Sequence, residues 1–286
     1  MNIKVYPTAV ALQQQLHADR SAGLKIGFVP TMGALHEGHL SLIRKALSEN
    51  DCVVCSIFVN PTQFNDPKDL QKYPRMPEQD FNMLESAGCQ YVFYPSVEEM
   101  YPQGARSKHY DLGRMEEVME GAFRAGHFQG VATVVDQLFS LVQPDNSYFG
   151  EKDYQQLAII RKMVALTGHS TSIIGCPTLR ENDGLAMSSR NLLLTEAERK
   201  AAPLIYQGLT KAQHFIPHHS VAAVKDLITR FIEQSPLLNV QYLEFVDTHT
   251  LEPVSEWPAG ADVQGCIAVL TSGPRLIDNL KYSVNN

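Results

Sequence analysis

The chain has 286 residues, 44% of them hydrophobic and 19% charged, enough apolar sequence for one large core or two moderate ones. A net charge of −7 and a pI near 5.8 exclude bulk attraction to nucleic acid or an anionic membrane, so neither is expected as a partner. No apolar run approaches a membrane span, and the opening M-N-I-K-V-Y-P lacks the features of a secretory signal.

Residues 1–22 suggest an amphipathic helix carrying Val10, Leu12 and Leu16, ahead of the first strand. That strand is the apolar run Ile26 to Val29, bounded by Pro30. A loop, Thr31-Met32-Gly33, leads into a helix with Leu40, Ile43 and Leu47 at helical spacing. His36 and His39, with Gly38 between them, lie where strand gives way to helix. In a parallel sheet that is the carboxyl end of a strand, where ligands bind. The unpaired N–H groups and helix dipole there favour an anion, above all phosphate. As isolated residues the histidines could equally be turn and surface residues. A zinc site lacks a third ligand at motif spacing. In a nucleotide site, neutral imidazoles would donate to phosphate oxygens and the glycine would leave room for a flat base.

A second strand, Cys52 to Val59, ends in Asn60-Pro61-Thr62-Gln63-Phe64-Asn65, which puts Asn60 and Gln63 at another carboxyl end. Cys52 and Cys55 form a C-x-x-C, but residues three apart on a strand face opposite ways and read as core thiols. The five cysteines (52, 55, 89, 176 and 266) suit the reducing cytoplasm better than a disulfide framework. A loop with Pro67, Pro74 and Pro77 precedes a helix, Glu78 to Ala87, and a third strand, Gln90 to Tyr94. Residues 101–130 are irregular, with Gly121, Gly126 and Gly130 around Arg124 and His127. They read as a mobile loop able to close over a ligand, or as a plain surface connection. From Val131 the residues Val134, Val135, Leu138, Leu141 and Val142 predict a core helix.

A short strand near Tyr148 meets Gly150-Glu151-Lys152-Asp153-Tyr154-Gln155-Gln156 and a helix carrying Leu157, Ile160 and Val164, and strand Ser172 to Cys176 completes the sheet. The alternation predicts an α/β fold, a Rossmann-like doubly wound parallel sheet over residues 1–176. Residues 177–286 predict a smaller C-terminal α+β domain, with helices from Thr195 and over 221–234 and strands Val240 to Val246 and Gly265 to Leu270. Thr195 with Glu198 is a capping box expected to open a long helix. Ser188, Ser189 and Arg190 form an ordinary turn or a phosphate-binding set.

Four stretches, P-T-M-G-A-L-H-E-G-H at 30–39, F-V-N-P-T-Q-F at 58–64, G-E-K-D-Y-Q-Q at 150–156 and M-S-S-R-N at 187–191, closely resemble the pantothenate synthetase (pantoate–β-alanine ligase) family. The H-x-G-H is similar to the signature of the wider nucleotidylyltransferase superfamily. The resemblance implies a Rossmann-like fold, a cytoplasmic homodimer, and ATP-dependent joining of pantoate to β-alanine through a pantoyl-adenylate. It implies that His39, Lys152, Ser188, Ser189 and Arg190 carry the chemistry, with Met32, His36, Gly38, Gly150 and Asp153 also at ATP. It assigns Met32, Asn60, Gln63, Arg124 and Gln156 to pantoate, and Asp80 to Mg²⁺. Ala125 replaces the proline usual in the gate segment R-P-G-H-F, and Leu270-Thr271-Ser272 replaces a stretch that often carries Trp and Gly. Two rivals are weighed: a nucleotidyltransferase releasing a nucleotidyl product has no use for Gln63 and Gln156 as a pair, and the acidic pI counts against a noncatalytic RNA-binding module.

Overall fold

The computed structural model describes residues 3–65 and 67–284. Two compact units emerge: Met1–Glu116 with Gly121–Glu151 and Gln156–Pro177, and Thr178–Asn286 with Glu117–Glu120 and Lys152–Gln155.

In the first unit the chain runs β1 (Lys4–Tyr6), α1 (Ala9–Ser21), β2 (Ile26–Thr31), α2 (Glu37–Glu49), β3 (Cys52–Ile57), α3 (Pro67–Lys72), α4 (Pro77–Ser86), β4 (Tyr91–Phe93) and α5 (Val97–Met100). There follow α6 (Glu120–Phe123), α7 (His127–Val142), β5 (Asn146–Gly150), α8 (Tyr154–Thr167) and β6 (Ser172–Cys176), although Glu120 and the first two residues of α8 group with the second unit. The six strands form one parallel sheet in the order β1-β4-β3-β2-β5-β6, the doubly wound arrangement expected. Helices cover both faces. Cys52 joins the cluster of Phe28, Phe93 and Phe139, whereas Cys55 joins that of Ile43, Leu84 and Tyr148, as opposite-facing residues must. All five cysteines are free and buried. In α7, Val131, Val135, Leu138 and Phe139 bury fully, each such side chain stabilising by about 1.5–3 kcal/mol.

Lys4–Tyr6 form an edge strand ahead of α1, too short to show alternation in the sequence. Leu12 and Leu16 are buried, but Val10 is 63% exposed, because two residues turn a helix about 200° away from Leu12. Pro30 lies inside β2, paired in register with Ser56, rather than ending it. Its missing N–H costs no ladder bond, since pairing with β5 on that side has stopped at Phe28. Residues 120–130 are helical at both ends, and α7 begins at His127, four residues before the apolar stripe announces it.

The second unit holds α9 (Glu196–Ala201), α10 (Leu204–Phe215), α11 (Val221–Ile232) and an antiparallel sheet of β7 (Asn239–Asp247), β8 (Asp262–Leu270) and β9 (Arg275–Ser283). Ile205, Leu209, Val224, Ile228, Phe245, Ile267 and Tyr282 make its core. The Thr195–Glu198 capping box forms, but α9 ends at Ala201 and a new helix starts after Pro203, so the long helix is two. Strand β9 escapes the sequence reading because buried Asp278 and Asn279 break its apolar alternation. Asp278 is accommodated by a two-pronged ion pair with Arg180, at 2.6 and 2.9 Å.

Candidate active site

Strand β2 pairs with β3 along its full length, Ile26 to Thr31, but with β5 only at Gly27 and Phe28. Beyond Phe28 the two strands part. This is also where the strand order reverses, so the split opens at the carboxyl edge, at the switch point of the sheet. The chain leaving β2 carries Met32, His36, Gly38 and His39; that leaving β3 carries Asn60 and Gln63; β5 itself ends at Gly150.

His36 is the N-cap of α2. Its Nδ1 accepts the Gly38 N–H at 3.1 Å, and His39 Nδ1 accepts the His36 N–H at 3.3 Å. The two rings lie 4.1 Å apart, tilted by 45°. With Nδ1 accepting, each neutral imidazole carries its proton on Nε2, the form that donates to an anion. The cap thus fixes the tautomer as well as the helix start. Among the described residues no group of three or more His, Cys, Asp or Glu is placed to hold a metal ion.

Asn60 is fully buried and organises the end of β3. Its Nδ2 donates to Gln63 Oε1 at 3.1 Å and to the Gly130 carbonyl at 3.2 Å, while its Oδ1 accepts from Tyr101 Oη at 2.8 Å and Thr62 Oγ1 at 3.0 Å. Since Gln63 Oε1 is held as an acceptor, its Nε2 faces Met32 Sδ, 3.0 Å away. Burial pushes the Tyr101 phenol upward, which keeps it a donor. The Gln63 carbonyl receives His127 Nδ1 at 2.8 Å and Arg124 Nη2 at 3.5 Å, and Arg124 Nη1 lies 3.0 Å from His127 Nε2. An arginine can only donate and a carbonyl only accept, so His127 is neutral with its proton on Nδ1. Met32, Asn60, Gln63 and Arg124 are thereby brought into one cluster. Gln156 sits half-buried in the first turn of α8.

In the second unit Lys152, Ser188, Arg190, Asn191, Arg275 and Asp278 line one cavity. Lys152 Nζ lies 3.6 Å from Asp153 Oδ1, and the Lys152 carbonyl accepts Asn279 Nδ2 at 2.8 Å. Ser188 Oγ accepts the Arg190 N–H at 3.3 Å and caps the short 3₁₀ turn Ser189–Leu193. The lining thus brings three cationic side chains and a hydroxyl together with the Asp278 carboxylate. Arg275 is itself engaged by Glu120 through two bonds of 2.6 and 2.7 Å.

Asp80, which the resemblance assigns to Mg²⁺, is buried and bonded to the loop between β2 and α2. Its carboxylate accepts the Ala34 N–H at 3.0 Å and the Leu35 N–H at 2.8 Å. Burial pushes its pKa up, opposed by those two bonds.

A family profile described as pantoate-beta-alanine ligase matches residues 4–281. The chain belongs to this family. It is 50% identical over 280 residues to the pantothenate synthetase of Bacteroides thetaiotaomicron, covering 98% of this chain and 99% of that one. The Porphyromonas gingivalis enzyme is 48% identical with the same coverage. Among solved structures, pantothenate synthetase from Thermus thermophilus superposes with a TM-score of 0.88 at 44% identity, over 97% of this chain and 99% of that one. Pantoate-beta-alanine ligase from Francisella tularensis, complexed with beta-gamma ATP and β-alanine, gives 0.79 at 37% identity over 97% of each chain. The family's reaction is the ligation of pantoate to β-alanine, and the Rossmann-like fold agrees with it. Residues outside the sequence reading now belong with these clusters: Tyr101, which holds Asn60, and Glu120, which holds Arg275. Neither sits in a motif, and no local signal marks them.

Proposed function

We propose that this enzyme activates pantoate with ATP as a pantoyl-adenylate and then transfers the acyl group to β-alanine, releasing pyrophosphate and AMP. The observation that carries the reading is the 3.0 Å approach of Gln63 Nε2 to Met32 Sδ. It ties an acid-binding amide at the end of β3 to the loop that runs into the His36–His39 cap. An acid held by Gln63 lies beside a phosphate held at the start of α2, the neighbour relation that attack of a carboxylate on the α-phosphorus requires.

In this reading His36, Gly38, Gly150 and Asp153 bind the nucleotide, and Met32 contacts both substrates. Asn60, Gln63, Arg124 and Gln156 hold pantoate. Amides hydrogen-bond its hydroxyls and carboxylate without a strong ion pair that would blunt the nucleophile. His39, Lys152, Ser188, Ser189 and Arg190 meet the negative charge that grows on the phosphoryl oxygens and pyrophosphate. In the second step the β-alanine amine attacks the acyl carbonyl and AMP departs, so no enzyme nucleophile is needed. Exclusion of water protects the adenylate from hydrolysis. ATP and β-alanine as ligands are supported by the Francisella tularensis complex. Mg²⁺ enters this reading only as the counter-ion of the triphosphate. We read the enzyme as a cytoplasmic homodimer, the first supported by its free cysteines and the second by the family resemblance.

The test is isotope exchange between pyrophosphate and ATP. Exchange that requires pantoate but not β-alanine, with AMP released only when both are present, is expected. Exchange without pantoate overturns the reading in favour of simple nucleotidyl transfer.

A further inference from the structure

We propose that Asp80 is a positioning residue that locks the loop between β2 and α2, and that it is not a metal ligand. The loop turns through two consecutive left-handed residues, Gly33 at φ +81° and Ala34 at φ +51°. Such a turn aims successive N–H groups at one point, a concavity suited to an anion. Here the anion is internal: Oδ2 takes the Ala34 N–H at 3.0 Å and Oδ1 takes the Leu35 N–H at 2.8 Å. Gly33 is required twice, by its φ and because a Cβ there would lie 2.9 Å from Asp80 Oδ2 and 3.0 Å from Ile57 Cγ2. The other end of the loop is pinned by Thr31 Oγ1, which donates to the Ser56 carbonyl at 2.7 Å and accepts the Gly33 N–H at 3.2 Å.

The same geometry disfavours a cation. Both oxygens already receive the positive ends of N–H dipoles, which would face an incoming ion. Magnesium also keeps an octahedral shell with several waters, and Asp80 is only 1% exposed, leaving no room for them. Its carboxylate instead substitutes for an anion that the turn would otherwise capture. It freezes the loop that delivers Met32 and the His36 cap, so a displacement at Asp80 is carried to both.

This effect on turnover rests on the nucleotide reading of the cap, but the lock itself is read without substrate. The experiment measures hydrogen exchange of the Ala34 and Leu35 amides in the full-length enzyme, with and without Mg²⁺ and ATP together. Both amides are expected to be protected although they lie outside helix and strand, and the protection is expected to persist or increase with Mg²⁺ and ATP. Acceleration on adding them means the metal takes the carboxylate, and overturns the proposal; so does an absence of protection. In Asp80→Asn one amide loses its acceptor, and exchange there quickens about tenfold. Turnover falls while the Mg²⁺ concentration for half-maximal rate stays unchanged. A raised Mg²⁺ requirement, or turnover restored by excess Mg²⁺, also overturns it. Should the variant not fold, the wild-type exchange still decides. A wild type with protected amides but no pantoate-dependent turnover would sink the ligase reading and leave the lock standing.

Discussion

Gly130, in the first turn of α7, sets how closely that helix approaches the chain around Gln63. A Cβ at this position would lie 2.3 Å from the Thr62 carbonyl oxygen, 2.6 Å from its carbon and 2.8 Å from Gln63 Cα. All three are backbone atoms, so no side chain can swing aside. Restoring ordinary contact in Gly130→Ala requires α7 and the Pro61–Gln63 turn to separate by about 1 Å. Overpacking of this kind costs about 1–3 kcal/mol. Within a helix, however, alanine is favoured over glycine by about 1 kcal/mol. The two terms partly offset, so the melting temperature drops by only a few degrees and is a weak readout.

Catalysis is the strong one. The Gly130 carbonyl accepts from Asn60 Nδ2 at 3.2 Å and Thr62 Oγ1 at 3.4 Å, so the shift pulls on the residues that orient Gln63. A displacement of about 1 Å in a substrate-positioning group costs on the order of 10²-fold in rate. The assay is steady-state turnover with pantoate varied at saturating ATP and β-alanine, beside a melting curve. The expected result is a large fall in kcat/KM for pantoate in a folded protein. A Gly130→Ala enzyme whose kcat/KM for pantoate stays within about twofold of wild type would refute the reasoning.

Lys152→Ala is expected to slow pantoate-dependent pyrophosphate exchange by about 10²–10³-fold with the circular dichroism spectrum intact, since the Nζ contact with Asp153 is a long one of 3.6 Å; unchanged exchange would remove Lys152 from the chemistry. His127→Asn retains a donor for the Gln63 carbonyl, so it is expected to keep a lower pantoate KM than His127→Ala, and equal KM values would show that the 2.8 Å bond orients nothing. Bonds from Thr195 and Ser272 hold the Glu198 carboxyl down at about 2, against an ordinary value of 4.5. A depressed carboxylate stabilises above its unfolded pKa and loses that stabilisation as pH falls. Melting temperature is therefore expected to fall between about pH 4.5 and pH 2 more steeply in wild type than in Glu198→Gln; parallel acid limbs in the two proteins would contradict the assignment.

What is legible in the sequence is local. Strand Ser172–Cys176 matches its predicted bounds because alternating buried strands and amphipathic helices leave a period that a short window can hold. The His36–His39 pair stands out because a helix start brings residues three apart into reciprocal bonding. Lys152, Ser188 and Arg190 are visible through their motifs, and they line one cavity. Pro30 and Val10 mislead for the converse reason: a proline's cost depends on whether a neighbouring strand needs its N–H, and a helix position depends on which face is covered. Neither fact is local.

Only the family resemblance speaks to Asp80, and the same distinction explains why its partners stay hidden in the sequence. Its partners Ala34 and Leu35 lie 46 and 45 positions away, and the bonds joining Asn60 to Gly130 and Glu120 to Arg275 span 70 and 155. Neither an acidic residue nor a glycine shows its distant neighbour in the sequence, and the glycine alone invites a flexible loop. Both are here the complement of a distant backbone: Asp80 fills an N–H concavity and Gly130 makes way for a carbonyl. A substitution at Asp80 or Gly130 therefore leaves every motif residue in place while moving the atoms those residues present. Activity lost that way is expected to respond to neither more metal nor more ATP, because the defect lies in where the site stands and not in what it contains.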